Sequence, residues 1–371
     1  MIGAGISGAS AAYELASHGK VLLLEAETSP GYHSTGRSAA LFTRNYGNPI
    51  VRRINQASHD FFLNPPEGFC EQPLLSPRGA LTVAPPGQES GLEAILSLSA
   101  VGHEIELVSA ARALELAPLL RTERVACAAY EPGVTDIDVA SLHQGFLRGF
   151  KKRGGSLQCG HRVEQLERRH GAWHAKAGDT SIRARIIVNA AGAWADEIGR
   201  LAGARPIGLV PKRRTAIIVD APPDMQTTNM PTVEILGNDA YLKPDAGRIM
   251  ASPGDQTPSA PQDAQPDEFD IAVLVDWLET ETRIKVRRIG SSWAGLRSFV
   301  ADEVPVLGYD AQADGFFWLA GQGGYGIMMA PALARVTAGL ILGKPLPQQL
   351  QDFGINRADL DPVRVLISTQ N

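Results

Sequence analysis

Two rhythms of apolar residues alternate in the N-terminal half of the chain. Short continuous apolar runs, Lys20–Glu25 (KVLLLE) and Ile186–Asn189 (IIVN), predict strands covered on both faces, as in a parallel sheet. Helical spacing predicts helices at Gly8–His18, Asn55–Phe62, Ser109–Leu120 and Ser141–Arg153. The second stops before Pro65-Pro66, and the last meets Gly154-Gly155 as its C-terminal stop. A strand is expected at Leu81–Val83. From about Arg205 to Val300 the pattern becomes alternating strands, Pro-rich turns and one charged helix, Val273–Thr282, which predicts a separate antiparallel unit. Phe316–Ala320 (FFWLA) returns to buried-strand character, followed by a Gly-rich turn and a helix from about Met328. The expected architecture is a discontinuous α/β unit with an α+β unit inserted in it.

Composition supports two units. The chain has 371 residues, 44% hydrophobic and 20% charged, and single cores stop growing at roughly 250–300 residues. A net charge of -5 gives no basic surplus for a nucleic-acid backbone. Cys70, Cys127 and Cys159 are odd in number and widely spaced, so neither a disulfide framework nor a zinc site is expected, and a cytoplasmic location fits. The small, apolar N-terminus lacks the basic stretch of a signal peptide. The most apolar segment, Phe316–Leu342, is broken by Gly321, Gln322, Pro331 and Arg335, so no integral membrane segment is expected.

Gly3-Ala4-Gly5-Ile6-Ser7-Gly8 fits G-x-G-x-x-G, and it opens a helix followed by a buried strand ending in Glu25-Ala26. The glycines permit a sharp turn, backbone approach to a pyrophosphate and close helix–strand packing. The helix N-terminus offers free N–H groups to phosphate. An acidic residue at the strand end suits ribose hydroxyls and disfavours a 2′-phosphate, so dinucleotide binding without NADP is expected. Only Met1 and Ile2 precede the glycines, whereas the first strand of such a unit normally runs about 5–6 residues. The expectation is that the natural start lies upstream.

After Glu25 come Pro30-Gly31-Tyr32-His33-Ser34-Thr35-Gly36-Arg37-Ser38-Ala39-Ala40, and further blocks follow: Leu74–Arg78 (LLSPR), Val188–Trp194 (VNAAGAW), Pro211–Arg214 (PKRR), Tyr241–Ala246 (YLKPDA), Trp293–Asp302 (WAGLRSFVAD) and Gln322–Ile327 (QGGYGI). In these blocks and their order the chain resembles the D-amino-acid oxidase (DAO) superfamily of flavoproteins, and within it the bacterial FAD-dependent D-arginine dehydrogenases most. The resemblance implies a discontinuous Rossmann-like FAD-binding domain (1–73, 134–203 and 301–371) and a substrate domain on an antiparallel sheet (74–133 and 204–300). It implies FAD, held non-covalently. Beside Gly3, Gly5, Ser7, Gly8, Glu25 and Ala26, the cofactor residues would be Ser34, Thr35, Gly36, Arg37, Ser38, Ala39, Ala40 and Leu41. Val163 would pass a backbone amide over adenine. Ala191 and Gly192 end a strand without bulk, and Gly323, Gly324, Tyr325, Gly326 and Ile327 open a helix toward the flavin.

On the substrate side, the resemblance implies Arg297 as carboxylate anchor, Tyr241 and Tyr46 as phenol partners, and Arg214 as a further arginine near the substrate. The competing roles are an interdomain salt bridge for Arg297, core or rim packing for the tyrosines, and a solvated run with Lys212 and Arg213 for Arg214. Two positions depart from the D-arginine enzymes: Ala80 stands where they carry a glutamate, and Leu41 where they carry a histidine. Leu41, Phe42, Ala80 and Met328 are therefore expected to form an apolar pocket for neutral D-amino acids, although Glu234 or Asp239 offers a substitute carboxylate. The expected reaction is oxidative deamination of a D-amino acid to a 2-oxo acid and ammonia. The electron acceptor, a quinone, another carrier or O₂, is unassigned. An O₂-using oxidase, a dehydrogenase of a 2-hydroxy acid or of a secondary amine such as sarcosine or a cyclic amino acid, and a flavin-binding scaffold are the alternatives.

Overall fold

The computed structural model describes residues 1–100 and 102–367. Its first sheet is the expected parallel one. Leu22–Leu24 runs parallel to Ser156–Gln158, and Ile187–Asn189 runs parallel to Phe316–Ala320. Val306–Tyr309 closes the far edge, antiparallel to Phe316–Ala320. Ile2 joins the two halves by bridging Leu24 and Asn189, parallel to both. Its N–H donates to Val188 O at 2.9 Å and its carbonyl accepts from Ala190 N at 2.9 Å, while Gly3 N donates to Leu24 O at 2.8 Å. Two residues thus hold the central position of this sheet with hydrogen bonds on both sides.

The first helix, Ile6–Leu15, packs between Val139–Lys152 and Gly326–Ile341. Ala9, Ala11 and Ala12, none of them exposed, give it the narrow waist that lets two helices approach. Helix Pro49–Leu63 starts earlier than the apolar spacing predicts. Asn48 Oδ1 accepts Val51 N at 3.0 Å as its cap, and Pro49 sits at the first helical position, where its missing N–H is harmless. The charged helix likewise starts earlier, at Glu268, capped by Asp267, which accepts Phe269 N at 2.9 Å.

The second sheet has eight strands, ordered Ile289–Phe299, Val210–Val219, Arg248–Ser252, Tyr241–Asp245, Thr232–Ile235, Ala80–Ala84, Cys127–Glu131, Glu106–Ser109. It is not purely antiparallel: Thr232–Ile235 runs parallel to Ala80–Ala84. That seam joins two separate insertions of the chain, so no hairpin dictates strand direction there. One face packs Leu81, Val83, Ile217, Val233 and Leu242 against Leu274 and Leu278 of helix Glu268–Glu281. The other face, Ala216, Ile218, Tyr241 and Met250 with Ala39, meets the first unit. Alternation along the strands puts Arg214, Glu234 and Arg297 on that same side as Tyr241.

Candidate active site

The glycine turn is built as its spacing implies. Gly3 has φ +96°, and a Cβ there would stand 2.4 Å from Ala190 O. A Cβ on Gly8 would stand 1.8 Å from Gly3 O, so the third glycine lets the helix close on its own turn. Glu25 accepts Ala4 N on Oε2 at 2.8 Å and Glu27 N on Oε1 at 3.0 Å. It therefore braces the turn as well as lining the neighbouring cavity. Two further braces carry no sequence signal, because their partners lie far away in the chain. Thr35 Oγ1 accepts Ile6 N at 3.0 Å, and His143 Nε2 lies 2.9 Å from Ala4 O. Burial pushes the His143 pKa down, which keeps its ring neutral.

A cavity of about 330 Å³ opens above this turn, lined by Gly3, Gly5, Glu25, Ala26, Val163 and Ala191, with Gly192, Ser34 and Thr35 extending the wall. Ser7, Gly8 and Gly36 are not among its lining residues. Gly8 is fixed by packing, the Ser7 carbonyl accepts Ser10 Oγ at 3.1 Å, and Gly36 N donates to Gly31 O at 2.8 Å. At Ser34 and Thr35 the cavity meets a narrow slot of about 90 Å³, walled by Ser38, Ala39, Gly323, Gly324, Gly326 and Ile327. Arg37 borders the slot, but its guanidinium is engaged elsewhere. It donates to Ala264 O at 3.1 Å and Ala294 O at 2.9 Å, and pairs with Asp263 at 2.5 Å. A dinucleotide cradle continuous with a slot of glycine, alanine and serine accommodates an extended cofactor with a flat ring, so the residues present fit FAD.

The slot opens at Arg214, Tyr241 and Arg297 into a third cavity of about 370 Å³, which Tyr46, Ala40, Leu41, Tyr325 and Met328 also line. Arg297 Nη1 donates to Tyr46 Oη at 3.3 Å, and the Tyr46 ring stands 5.0 Å from that of Tyr325. Among the described residues neither Arg214 nor Arg297 has an ion-pair partner, and the buried Arg214 Nε has no hydrogen-bond partner. The salt-bridge reading of Arg297 thus has no partner there. The Pro211–Arg214 run is divided by strand alternation: Arg213 turns to Asp255, Asp267 and Asp270, while Arg214 faces the cavity. Burial, then Arg297, pushes the Arg214 pKa down. For Arg297, burial opposes the charge while the Tyr241 and Tyr46 phenols favour it, and the balance lies above the ordinary value. Burial pushes the Tyr325 hydroxyl up to about 12, so it stays protonated. Two cationic forks without counter-ions, beside three phenols, make an anion site of carboxylate geometry.

The apolar pocket expected around Leu41, Phe42, Ala80 and Met328 is not what the chain builds. Leu41 and Met328 do line the cavity. Phe42 is 2% exposed and points into the core, 5.2 Å from the Phe62 ring. Ala80 is held in register between Thr232 and Glu131 and is not a lining residue. The rest of the cavity lining is largely polar, with Thr43, Glu234, Asn238, Asp239, Gln256 and Glu303.

Fold and site together define a flavin-dependent oxidoreductase built of two interleaved units. The family model of the FAD-dependent oxidoreductases called DAO matches residues 1–340, and the chain belongs to that family, with FAD as its cofactor. Mitochondrial dimethylglycine dehydrogenase of Mus musculus is 25% identical over 96% of this chain. The chain spans only 44% of that relative's length. Glycine oxidase of Geobacillus kaustophilus is 24% identical over 69% of this chain and 67% of its own. Among solved structures, glycine oxidase from Geobacillus kaustophilus superposes with a TM-score of 0.78 at 21% identity, over 96% of this chain and 97% of its own. L-proline dehydrogenase from P. horikoshii gives 0.79 at 24%, over 99% and 97%. Among the described residues no helix is long and apolar enough to cross a membrane.

Proposed function

We propose that this chain oxidises the Cα–N bond of an α-amino acid, with D-amino acids as its substrates, to an imino acid that hydrolyses to a 2-oxo acid and ammonia. The observation that carries the reading is the pair of arginines without counter-ions, opening on a cavity continuous with the flavin slot. Bound FAD supplies the two-electron acceptor for the hydride that leaves Cα. The protein's part is orientation. Arg297 takes the substrate carboxylate in a bidentate grip, Tyr46 and Tyr241 donate to it, and Arg214 adds positive charge on the same face. This fixes the face that Cα presents to the slot. The D configuration draws support from the resemblance of Gly31–Ala40 and Trp293–Asp302 to D-arginine dehydrogenases. The proposed division of labour is cofactor binding by 1–73, 134–203 and 301–371, and substrate binding by the rest.

A secondary amine is the second reading. Relatives named dimethylglycine dehydrogenase and sarcosine dehydrogenase match this chain, and a carboxylate anchor serves both substrate types equally.

Anaerobic titration of the FAD-loaded protein with D-amino acids, L-amino acids and N-methylated glycines separates the two. Bleaching of the flavin bands by D-amino acids alone is the expected result. Bleaching by N-methylated glycines alone moves the assignment to secondary amines, and no bleaching by any of them overturns both readings.

A further inference from the structure

We propose that Glu234, backed by Asp239, forms a cation-binding wall that selects amino acids carrying a second positive charge on the side chain. The proposal rests on the amino-acid reading above and adds the side-chain class to it.

The argument begins with register. Glu131, Ala80 and Thr232 stand abreast on three neighbouring strands, and Glu234, two residues beyond Thr232, stands abreast of Tyr241. Side chains two residues apart share one face of a sheet. Glu131 and Glu234 therefore lie on the face that carries Tyr241, and Glu234 lines the cavity with Arg214 and Arg297. Glu234 is exposed, and it lines the cavity. Its carboxylate makes no ion pair or hydrogen bond among the described residues, and the other local charges are committed. Lys243 pairs with Asp136 at 2.7 Å, Arg44 donates to His59 and His103, and the Glu131 carboxylate accepts from Thr43 Oγ1 at 3.3 Å. Burial, with Asp239 and Glu131 as like-charged neighbours, raises the Glu234 pKa, while Arg214 alone among cations acts against that rise.

The cavity is thus bipolar. Among the described residues neither its arginines nor Glu234 makes an ion pair, and Arg214 reaches Glu234 only through space. A neutral amino acid answers the arginines only. A substrate with a distal ammonium or guanidinium answers both, and an ionic hydrogen bond of this kind changes affinity by roughly 10- to 100-fold. The charge opposite Ala80 is therefore supplied from neighbouring strands, not from that position itself.

The test uses the FAD-loaded protein and Glu234→Gln, with Asp239→Asn as a second variant. D-Lysine and D-norleucine, similar in length, are compared by kcat/KM. The expected result is a wild-type preference for D-lysine of at least about 10-fold. Glu234→Gln should lower kcat/KM for D-lysine roughly 10- to 100-fold, mainly through KM, and leave D-norleucine within about 3-fold. A binding readout accompanies it: 6-aminohexanoate, which has the carboxylate and the distal cation but no α-amine, should raise the melting temperature more than hexanoate does. Glu234→Gln should remove that difference. Equal losses on both substrates, or a wild-type preference for D-norleucine, overturn the proposal. If 6-aminohexanoate binds selectively but no amino acid reduces the flavin, the cation wall stands and the redox reading fails. If neither ligand is distinguished, the wall fails whatever the enzyme oxidises.

Discussion

At the scale of single residues, Arg297 carries the most. It is half-buried, faces the cavity and makes no ion pair among the described residues. Removing one partner of a buried, hydrogen-bonded charge pair costs about 2–5 kcal/mol, a loss of roughly 30- to 5,000-fold in kcat/KM. Arg297→Met is expected to lose activity in that range while retaining FAD, since the dinucleotide cradle lies in another cavity and Arg297 only borders the flavin slot. Steady-state kinetics beside the flavin-to-protein absorbance ratio checks both halves. Unchanged kcat/KM removes Arg297 from the site, and lost flavin makes its role structural. Arg297→Lys should recover only part of the loss, because an ammonium cannot reproduce the planar fork.

At the scale of elements, helix Pro49–Leu63 packs an unusual contact. Arg44 lies 2.7 Å from His59 Nδ1 and 2.8 Å from His103 Nδ1. Burial, Arg44 and then His103 push the His59 pKa down to about 4, with Asp60 opposing. Free histidine titrates near 6.5. Between those values the unfolded chain binds more protons than the folded one, so stability from this group is full above pH 6.5 and is lost as pH falls toward 4. His103 shifts in the same direction through burial and Arg44. His59→Phe should therefore flatten the fall in melting temperature between pH 7 and pH 5, which thermal scans at several pH values measure, and an unaltered slope would assign the acid sensitivity to other groups. Elements also show what the sequence makes legible. Phe316–Ala320 and the glycine turn are readable because burial and backbone geometry are local constraints that leave local patterns. The start at Pro49 is hidden because a proline reads as a break and Arg52-Arg53 interrupts the apolar spacing. The parallel seam of Ala80–Ala84 with Thr232–Ile235 is not local at all. Glu131 comes onto one face with Glu234 and Tyr241 only through that seam, so the apolar-pocket expectation fails for lack of register.

At the scale of the whole molecule, cofactor binding and the joining of the two units are one problem. The slot is lined by Ser34, Thr35, Ser38 and Ala39 of the first unit together with Gly295, Leu296 and Arg297 of the second. The same segment stitches the units together. Ser34 Oγ donates to Leu296 O at 2.6 Å, Trp293 Nε1 donates to Arg37 O at 3.1 Å, and Arg37 reaches Ala264 O, Ala294 O and Asp263. Ala264 and Ala294 are buried, so Arg37→Met leaves two carbonyls without their donor, at about 1–3 kcal/mol for such a group. The stitch lies on the cofactor loop, so its loss should be felt twice: a lower melting temperature of the FAD-free protein, and weaker FAD binding because the second unit's lining of the slot is no longer held in place. Ligand binding to the folded state stabilises by RT ln(1 + [L]/Kd), so the rise in melting temperature on adding FAD should shrink in the variant. Paired thermal scans with and without saturating FAD separate the effects. A drop in both curves with an unchanged increment would make Arg37 a fastener between units with no bearing on the flavin, whereas a smaller increment places it where the fold and the cofactor site are held by the same bonds.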